Sequence, residues 1–500
     1  MKRNITETPE NRGSFGEFMM KRENKLQLLA LLSVYVVVYI LLVYLYPYPA
    51  GISDSGSYVR AASENMPDTY RPFGYSRFLI MIHGLNHSIH FLVFCQFLIN
   101  AACTLFLLFT IKFLFPPRRR ALFWLLSLFA VLSPLTLYLA NSVLSDSAFT
   151  SLTMLWIGTG LWMIYCNRER EKIALFIIHA IILFFLIKIR YTGLVYMAVS
   201  LLFILISFGR RKIWMPASLA VILLLMMFLI YRNQKSKTYE LVHVSTFSGF
   251  SGWQKASNAL NCFPYIRINP SNIRDRKVRE FTKFAMQYDT LLIMKTRPSA
   301  KYMWDNRLPL KSYCFYEAQR TNTPYIYQWN LLGAQVYGKF GSYIIKKHPL
   351  AFTRYYLLPN CRLILYPVDD QVVKVFRTDW IPDDLLRSWF EFKDGEKLYS
   401  RSNIFRDLYS LIPLSRLALW ILFIASLVIV MLRIRKAEWT AFQSRSAFMM
   451  FAFVAVYFAF SAYAGPFELR YSSPIHMAII SLIYISLNEF ILNSGKGKVL

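Results

Sequence analysis

Apolar runs of about 20 residues, parted by short basic clusters, recur through this 500-residue chain. At about 1.5 Å of rise per helical residue, such a run spans the roughly 30 Å hydrocarbon core of a bilayer. The pattern predicts an all-α polytopic membrane protein. Its ten spans fall at 26–46, 91–115, 121–140, 148–166, 173–187, 193–208, 213–231, 412–432, 447–464 and 474–491. Residues 74–90 are less apolar and carry His83, His87 and His90, so they read as an interfacial segment.

The basic clusters orient the spans. Arg118-Arg119-Arg120, Arg168/Arg170/Lys172, Arg210-Arg211-Lys212 and Arg433/Arg435/Lys436 fall in alternate loops, while 141–147 carries no positive charge. Positive loops stay inside, which places both termini in the cytoplasm. Five regions follow: an inner tail at 1–25, an N-terminal membrane module at 26–231, an extracytoplasmic domain at 232–411, C-terminal helices at 412–491 and a second tail at 492–500. The net charge of +29 is then largely a matter of topology, and nucleic acid is not the expected partner. Residues 232–411 hold 28 basic and 15 acidic residues. They are too polar to span, yet rich in Tyr, Trp and Pro, so a folded domain of mixed structure is expected there. Cys262, Cys314 and Cys361 lie in this domain; two of them can form a bridge, or all can remain thiols. The first span carries no leader-type cleavage signal and is expected to persist.

The chemistry-bearing residues collect in the outer loops. Asp54 lies in Ser53-Asp54-Ser55-Gly56-Ser57-Tyr58, followed by Arg71-Pro72-Phe73-Gly74-Tyr75. A carboxylate here is either a turn or helix-cap acid, or a general base or metal ligand. Asp146, in Ser145-Asp146-Ser147, just precedes an apolar helix; it reads as an N-cap or as the second member of an acid pair with Asp54. Lys188 and Arg190 interrupt an apolar stretch, and the Arg190 fork suits a phosphate. The last outer loop crowds Glu468, Arg470 and Tyr471 ahead of Pro474, either as an interfacial pair with an aromatic anchor or as substrate contacts. The three histidines lack a complete metal-ligand set. No Walker loop, dinucleotide glycine fingerprint or zinc-type cysteine pairing occurs.

The ordered set Asp54, Arg71-Pro-Phe-Gly-Tyr75, Asp146, Arg190-Tyr-Thr-Gly and Glu468-Leu-Arg470-Tyr471 resembles the GT-C superfamily of membrane glycosyltransferases. Within it, the likeness is to bacterial mannosyltransferase- and aminoarabinose-transferase-like proteins. Gly252–Leu260 and His348–Phe352 resemble segments of uncharacterised bacterial members. The resemblance implies transfer of a sugar from a polyprenyl-phosphate-linked donor to a lipid, glycan or protein acceptor, on the outer face of a bacterial inner membrane. It implies Asp54 and Asp146 as catalytic acids, and Arg190 and Arg470 as donor-phosphate contacts. Tyr58, Arg71, Tyr75, Glu468 and Tyr471 would be substrate contacts. The acids here are lone aspartates, where some members carry Asp-Asp or Asp-Glu, so a divalent cation (Mg or Mn) between Asp54 and Asp146 stays open. Two other activities fit a chain of this shape: an O-antigen-type ligase or polymerase, and a transporter or flippase for a lipid-linked saccharide. The transporter should show charge near span centres or a repeated half-chain.

Overall fold

The computed structural model describes residues 13–47, 53–67, 71–208, 246–288, 301–366, 384–392, 412–436 and 439–490, with isolated positions between them. The span expected at 213–231 and both distal tails fall mostly outside the described residues. Among the described residues, seven helices are long and apolar enough to cross a membrane. In chain order the membrane-facing set is α1 (Phe15–Met20), α2 (Arg22–Leu45), α3 (Ser53–Ser63), α4 (Gly74–His83), α5 (Ile89–Leu114), α6 (Arg120–Val131), α7 (Pro134–Ala140), α8 (Ser145–Tyr165), α9 (Glu169–Ile189) and α10 (Gly193–Phe208). The extramembrane helices used below are α11 (Thr246–Leu260), α12 (Arg276–Ala285), α13 (Pro309–Thr321), α14 (Tyr325–Leu332), α15 (Gly338–Lys347), α16 (Leu358–Leu365) and α17 (Asp384–Phe390). The C-terminal helices are α18 (Ile412–Arg435), α19 (Ala441–Ala464) and α20 (Ser473–Phe490).

Each membrane helix is apolar nearly all round, and what varies is how much of it the protein covers. On α2 only Asn24, Gln27, Leu31, Tyr35 and Leu42 are buried, one stripe at helical spacing, and the rest faces outward. α8 and α20 are buried along most of their length by neighbouring helices. The run expected as a span at 121–140 is one of these seven, Arg120–Ala140, broken near its middle into two helical pieces. Pro134 has no N–H to donate to the preceding turn, so α6 ends at Val131 and α7 starts with Pro134 in its first turn. The His83–His90 segment is not a span: α4 has ten residues and turns at Gly84 into α5. On the face opposite the acids, buried Lys112 of α5 donates to Asn24 at 2.5 Å and to Gln27, with Glu23 at 3.9 Å. Its amide partners on α2 satisfy a charge that the bilayer would not.

The described part of the large domain is helical, not mixed as its composition suggested. It has its own core, with Trp253 stacked on Trp329 and edge-on to Tyr337, and Phe281 packed on Phe340. Trp253 Nε1 donates to the Trp329 carbonyl at 2.7 Å, and the Tyr337 hydroxyl to the Leu310 carbonyl at 2.7 Å. Cys262, Cys314 and Cys361 are free thiols, the first two buried in this core and Cys361 packed against the membrane core. α11 crosses a π-helical turn at Gly333–Tyr337 so closely that a Cβ on Gly252 would lie 1.7 Å from the Gly333 carbonyl oxygen. Backbone cannot yield as a flexible side chain can. Gly252→Ala should therefore cost about 3 kcal/mol or more, above ordinary overpacking, read as a fall in the thermal midpoint of the purified protein. A wild-type midpoint would mean that the two segments part freely.

Two buried amides join this domain to the membrane helices. Asn258 of α11 donates to the Tyr463 carbonyl at 2.8 Å. Asn360 of α16 donates to the carbonyls of Ala462 and Gly465 and accepts from the Phe467 N–H at 2.8 Å. The loop after α19 is thus held by side chains of the extramembrane domain. That loop carries Glu468 and Arg470.

Candidate active site at the ends of the membrane helices

Five separated segments deliver six charged side chains to one place. α3 brings Asp54 in its first turn, where the helix N-terminus favours a carboxylate. Arg71 stands just before α4, and Asp146 occupies the first turn of α8. Arg190 ends α9, with extended backbone, and the turn Leu469–Ser472 supplies Arg470. Asp146 does not cap its helix: the cap position is Leu144, and it makes no side-chain cap bond. The N-cap reading of this residue is therefore corrected. Gly74 sets the spacing, since a Cβ there would lie 2.4 Å from the Lys188 carbonyl oxygen. Only a glycine lets α4 start directly against the chain that leads into Arg190.

Arg470 is the hub. Its Nη2 lies 2.6 Å from Asp54 Oδ2, its Nε donates to Glu468 Oε2 at 2.8 Å, and its Nη1 is 3.7 Å from Asp146 Oδ2. Asp54 is clamped from its other oxygen by Arg71 Nη2 at 2.5 Å, and Asp146 by Arg190 Nη1 at 2.6 Å. Three guanidiniums meet three carboxylates. Burial alone would raise the Asp54 carboxyl. The charges and hydrogen bonds of Arg470 and Arg71 outweigh it and hold the group below the usual carboxylate range. Burial likewise opposes the Arg470 charge, but Tyr471, Glu468, Asp54 and Asp146 together keep it firmly protonated. The Tyr471 phenol, buried beside these acids, is pushed up to about 12.

Aromatic side chains floor the cluster. Arg190 lies over the rings of Tyr471 and Phe149, at 5.3 and 6.0 Å, and Arg71 over Tyr58 at 4.8 Å. The Tyr58 hydroxyl shares a 2.7 Å hydrogen bond with Ser145 Oγ, which also accepts from Arg190 at 3.3 Å. Tyr75 is fully buried behind Tyr58, ring edge to ring face, and donates to Gln96 at 2.9 Å. Gln96 passes its two N–H groups to the carbonyls of Ala140 and Ser142, fixing the loop before Asp146. Tyr75 therefore acts by holding Tyr58 and Gln96 in place.

The nine residues given catalytic or binding roles by the resemblance lie in or directly against this cluster. Four more were not singled out as site residues: Ser145, Gln96, Asn258 and Asn360. Asn360 carried a visible signal, a lone amide in its helix, and Gln96 shares a buried face of its apolar helix with Asn100. Their partners are backbone carbonyls far along the chain, which no spacing reveals. His83 and His87 stand apart, at the corner between α4 and α5. There His83 stacks on His87 and on Trp389, and His87 pairs with Glu391 at 2.6 Å.

A divalent cation does not fit between the aspartates. Both Asp54 oxygens and one Asp146 oxygen are bonded to guanidiniums, leaving Asp146 Oδ2 as the one buried carboxylate oxygen of the pair with no hydrogen-bond partner. Mg²⁺ or Mn²⁺ wants several oxygen ligands and would face three arginines at contact distance. Among the described residues no group of three His, Cys, Asp or Glu side chains is placed to hold a metal. Chemically, the cluster offers ionised acceptors and fixed cations beside a bilayer: it can orient a hydroxyl and receive an anionic leaving group. Comparison with family models, curated proteins and solved structures finds no match for the chain.

Proposed function

We propose that this protein is a membrane glycosyltransferase. In this reading it moves a sugar from a polyprenyl-phosphate-linked donor to a glycan, lipid or protein acceptor on the extracytoplasmic face of a cytoplasmic membrane. The observation that carries the reading is the Asp54–Arg470–Asp146 cluster, six charges drawn from distant segments to the ends of membrane helices. Charge at that depth is costly and is kept where it acts on a substrate.

The acceptor hydroxyl would lie against Asp54 and attack the anomeric carbon. As the new C–O bond forms, the bond from that carbon to the phosphate oxygen breaks, and the electron pair leaves on the phosphate. Arg470 and Arg190 oppose the growing negative charge. Asp54, held below the usual carboxylate range, is a weak base while doubly clamped. Drawing Arg470 toward the phosphate returns basicity to Asp54 as the hydroxyl proton departs. Asp146 keeps Arg190 and Arg470 in register, and Tyr58 and Tyr471 offer flat faces against which a sugar ring can lie. The extramembrane helices hold the loop that carries Glu468 and Arg470 through Asn258 and Asn360.

Deleting the gene should leave one cell-envelope glycan short of a single sugar while a polyprenyl-phosphate-linked sugar accumulates. Mass spectrometry of both pools checks this. An unchanged glycan and an unchanged lipid-linked pool would sink the proposal.

A further inference from the structure

Among the described residues, Arg416 is a buried cation with no acid beside it. It stands in the second turn of α18 with 2% of its surface exposed, and its Nη2 donates to the Ser472 carbonyl at 3.1 Å. Its Nε and Nη1 are buried with no hydrogen-bond partner. Among the described residues no other arginine is buried to this degree. His476 stands in the first turn of α20, four residues after the Ser472 whose carbonyl Arg416 holds. Ser133 accepts a hydrogen bond from Thr136, so its own hydroxyl proton is free to reach His476 Nδ1 at 3.4 Å. His476 Nε2 is buried and unpartnered, and it donates in the tautomer whose Nδ1 accepts from Ser133. Three buried nitrogens, two of them fixed donors of the guanidinium, therefore share one corner of the fold without a partner. Leaving such groups unbound is costly, most of all where the group is charged. A donor-only set is a demand for an anion.

We propose that Arg416 and His476 form a binding site for a phosphate group, that of an isoprenoid phosphate entering from the bilayer. The planar guanidinium fork matches two phosphate oxygens, and the imidazole adds a third donor. The surface over this corner is apolar and outward-facing: Phe129, edge-on to His476 at 5.7 Å, is 38% exposed, and Leu132, Leu414 and Leu417 are exposed beside it. A prenyl chain can lie along that surface with its phosphate turned inward. Arg416 and Arg470 flank the same turn, Leu469–Ser472, so the phosphate would sit next to the acid cluster. The arginines of that cluster are each paired with a carboxylate, whereas Arg416 has no such pair among the described residues. The identity of the ligand rests on the function proposed above; the anion site itself does not.

The test is ligand-induced stabilisation of the full chain in lipid nanodiscs, for wild type, Arg416→Met and His476→Gln. Polyprenyl monophosphate, inorganic phosphate and uncharged polyprenol are the probes. Polyprenyl monophosphate should raise the wild-type thermal midpoint, and Arg416→Met should weaken its affinity roughly tenfold or more. Without ligand, Arg416→Met should melt at or above the wild type, because it removes an unpaired desolvated charge. His476→Gln should bind more weakly too, and decides the matter should the methionine variant fail to assemble. An equal shift with inorganic phosphate assigns the site to free phosphate. A shift with polyprenol alone, or undiminished binding by both variants, overturns the inference, as does a wild type that binds none of the probes. Binding without sugar transfer would overturn the proposed activity and leave this site standing.

Discussion

Asp54→Asn should lower the rate of sugar transfer by about 10²- to 10⁴-fold, the usual range for removing a positioned acid or base. The variant should still fold and insert. The amide is nearly isosteric, and the α3 turn that carries it makes other bonds: Ser57 Oγ donates to the Asp54 carbonyl, and Ser76 to the Tyr58 carbonyl. Arg71 and Arg470 would each lose a charged partner, but Arg470 keeps Glu468. Purified wild type and variant, compared for release of polyprenyl phosphate at matched thermal midpoints, measure the effect. Transfer at the wild-type rate would show that Asp54 holds its neighbours and takes no part in the chemistry.

Arg470→Ala should have the largest effect on the fold. It leaves Asp54, Asp146 and Glu468 close together without the cation they share, and breaking a buried ion pair from one side costs about 3–5 kcal/mol. Lysine at 470 should recover part of this, because an ammonium restores charge but cannot reach three carboxylates as a planar fork does. The pH dependence gives a second readout. Asp54 is depressed in the folded protein, so its pairing contributes stability that is fully present above the ordinary carboxylate pKa, about 3.9. That stability is lost as pH falls through the lower folded value. Without Arg470 the carboxyl moves back up, and the acid limb of the stability profile should move to higher pH with it. Thermal midpoints between pH 3 and pH 7, roughly the window around that pKa, would show it. An Arg470→Ala protein as stable as the wild type, with the same acid limb, would mean that the cluster is loosely held.

How far this reaches depends on which residues the chain itself brings close. Helix positions in the membrane were legible because the hydrocarbon core demands a run of fixed length. Observed helices such as Ile89–Leu114, Gly193–Phe208 and Ile412–Arg435 match the apolar runs to within a few residues. The break before Pro134 was not anticipated in the span read at 121–140, although a proline's missing N–H favours one there. The helical build of the extramembrane domain was not legible. Tyr, Trp and Pro enrichment marks a folded region but has no period that separates strand from helix.

The charged residues divide the same way. Asp54, Asp146, Arg190 and Arg470 stood out because an ion beside an apolar run is rare, a property of the sequence alone. That Arg470 reaches three acids at once was decided only by tertiary structure, because the partners lie on segments up to hundreds of residues apart. Lys112 and Arg416 show the limit most clearly. Both sit within long apolar helices and read alike, as charges near a span end. One meets two amides and a glutamate from α2, while the other meets a single carbonyl and keeps two buried nitrogens unsatisfied. A sequence states where a charge lies along its helix. Only packing decides what that charge faces, because a buried ion's free energy depends on the few groups within hydrogen-bond reach.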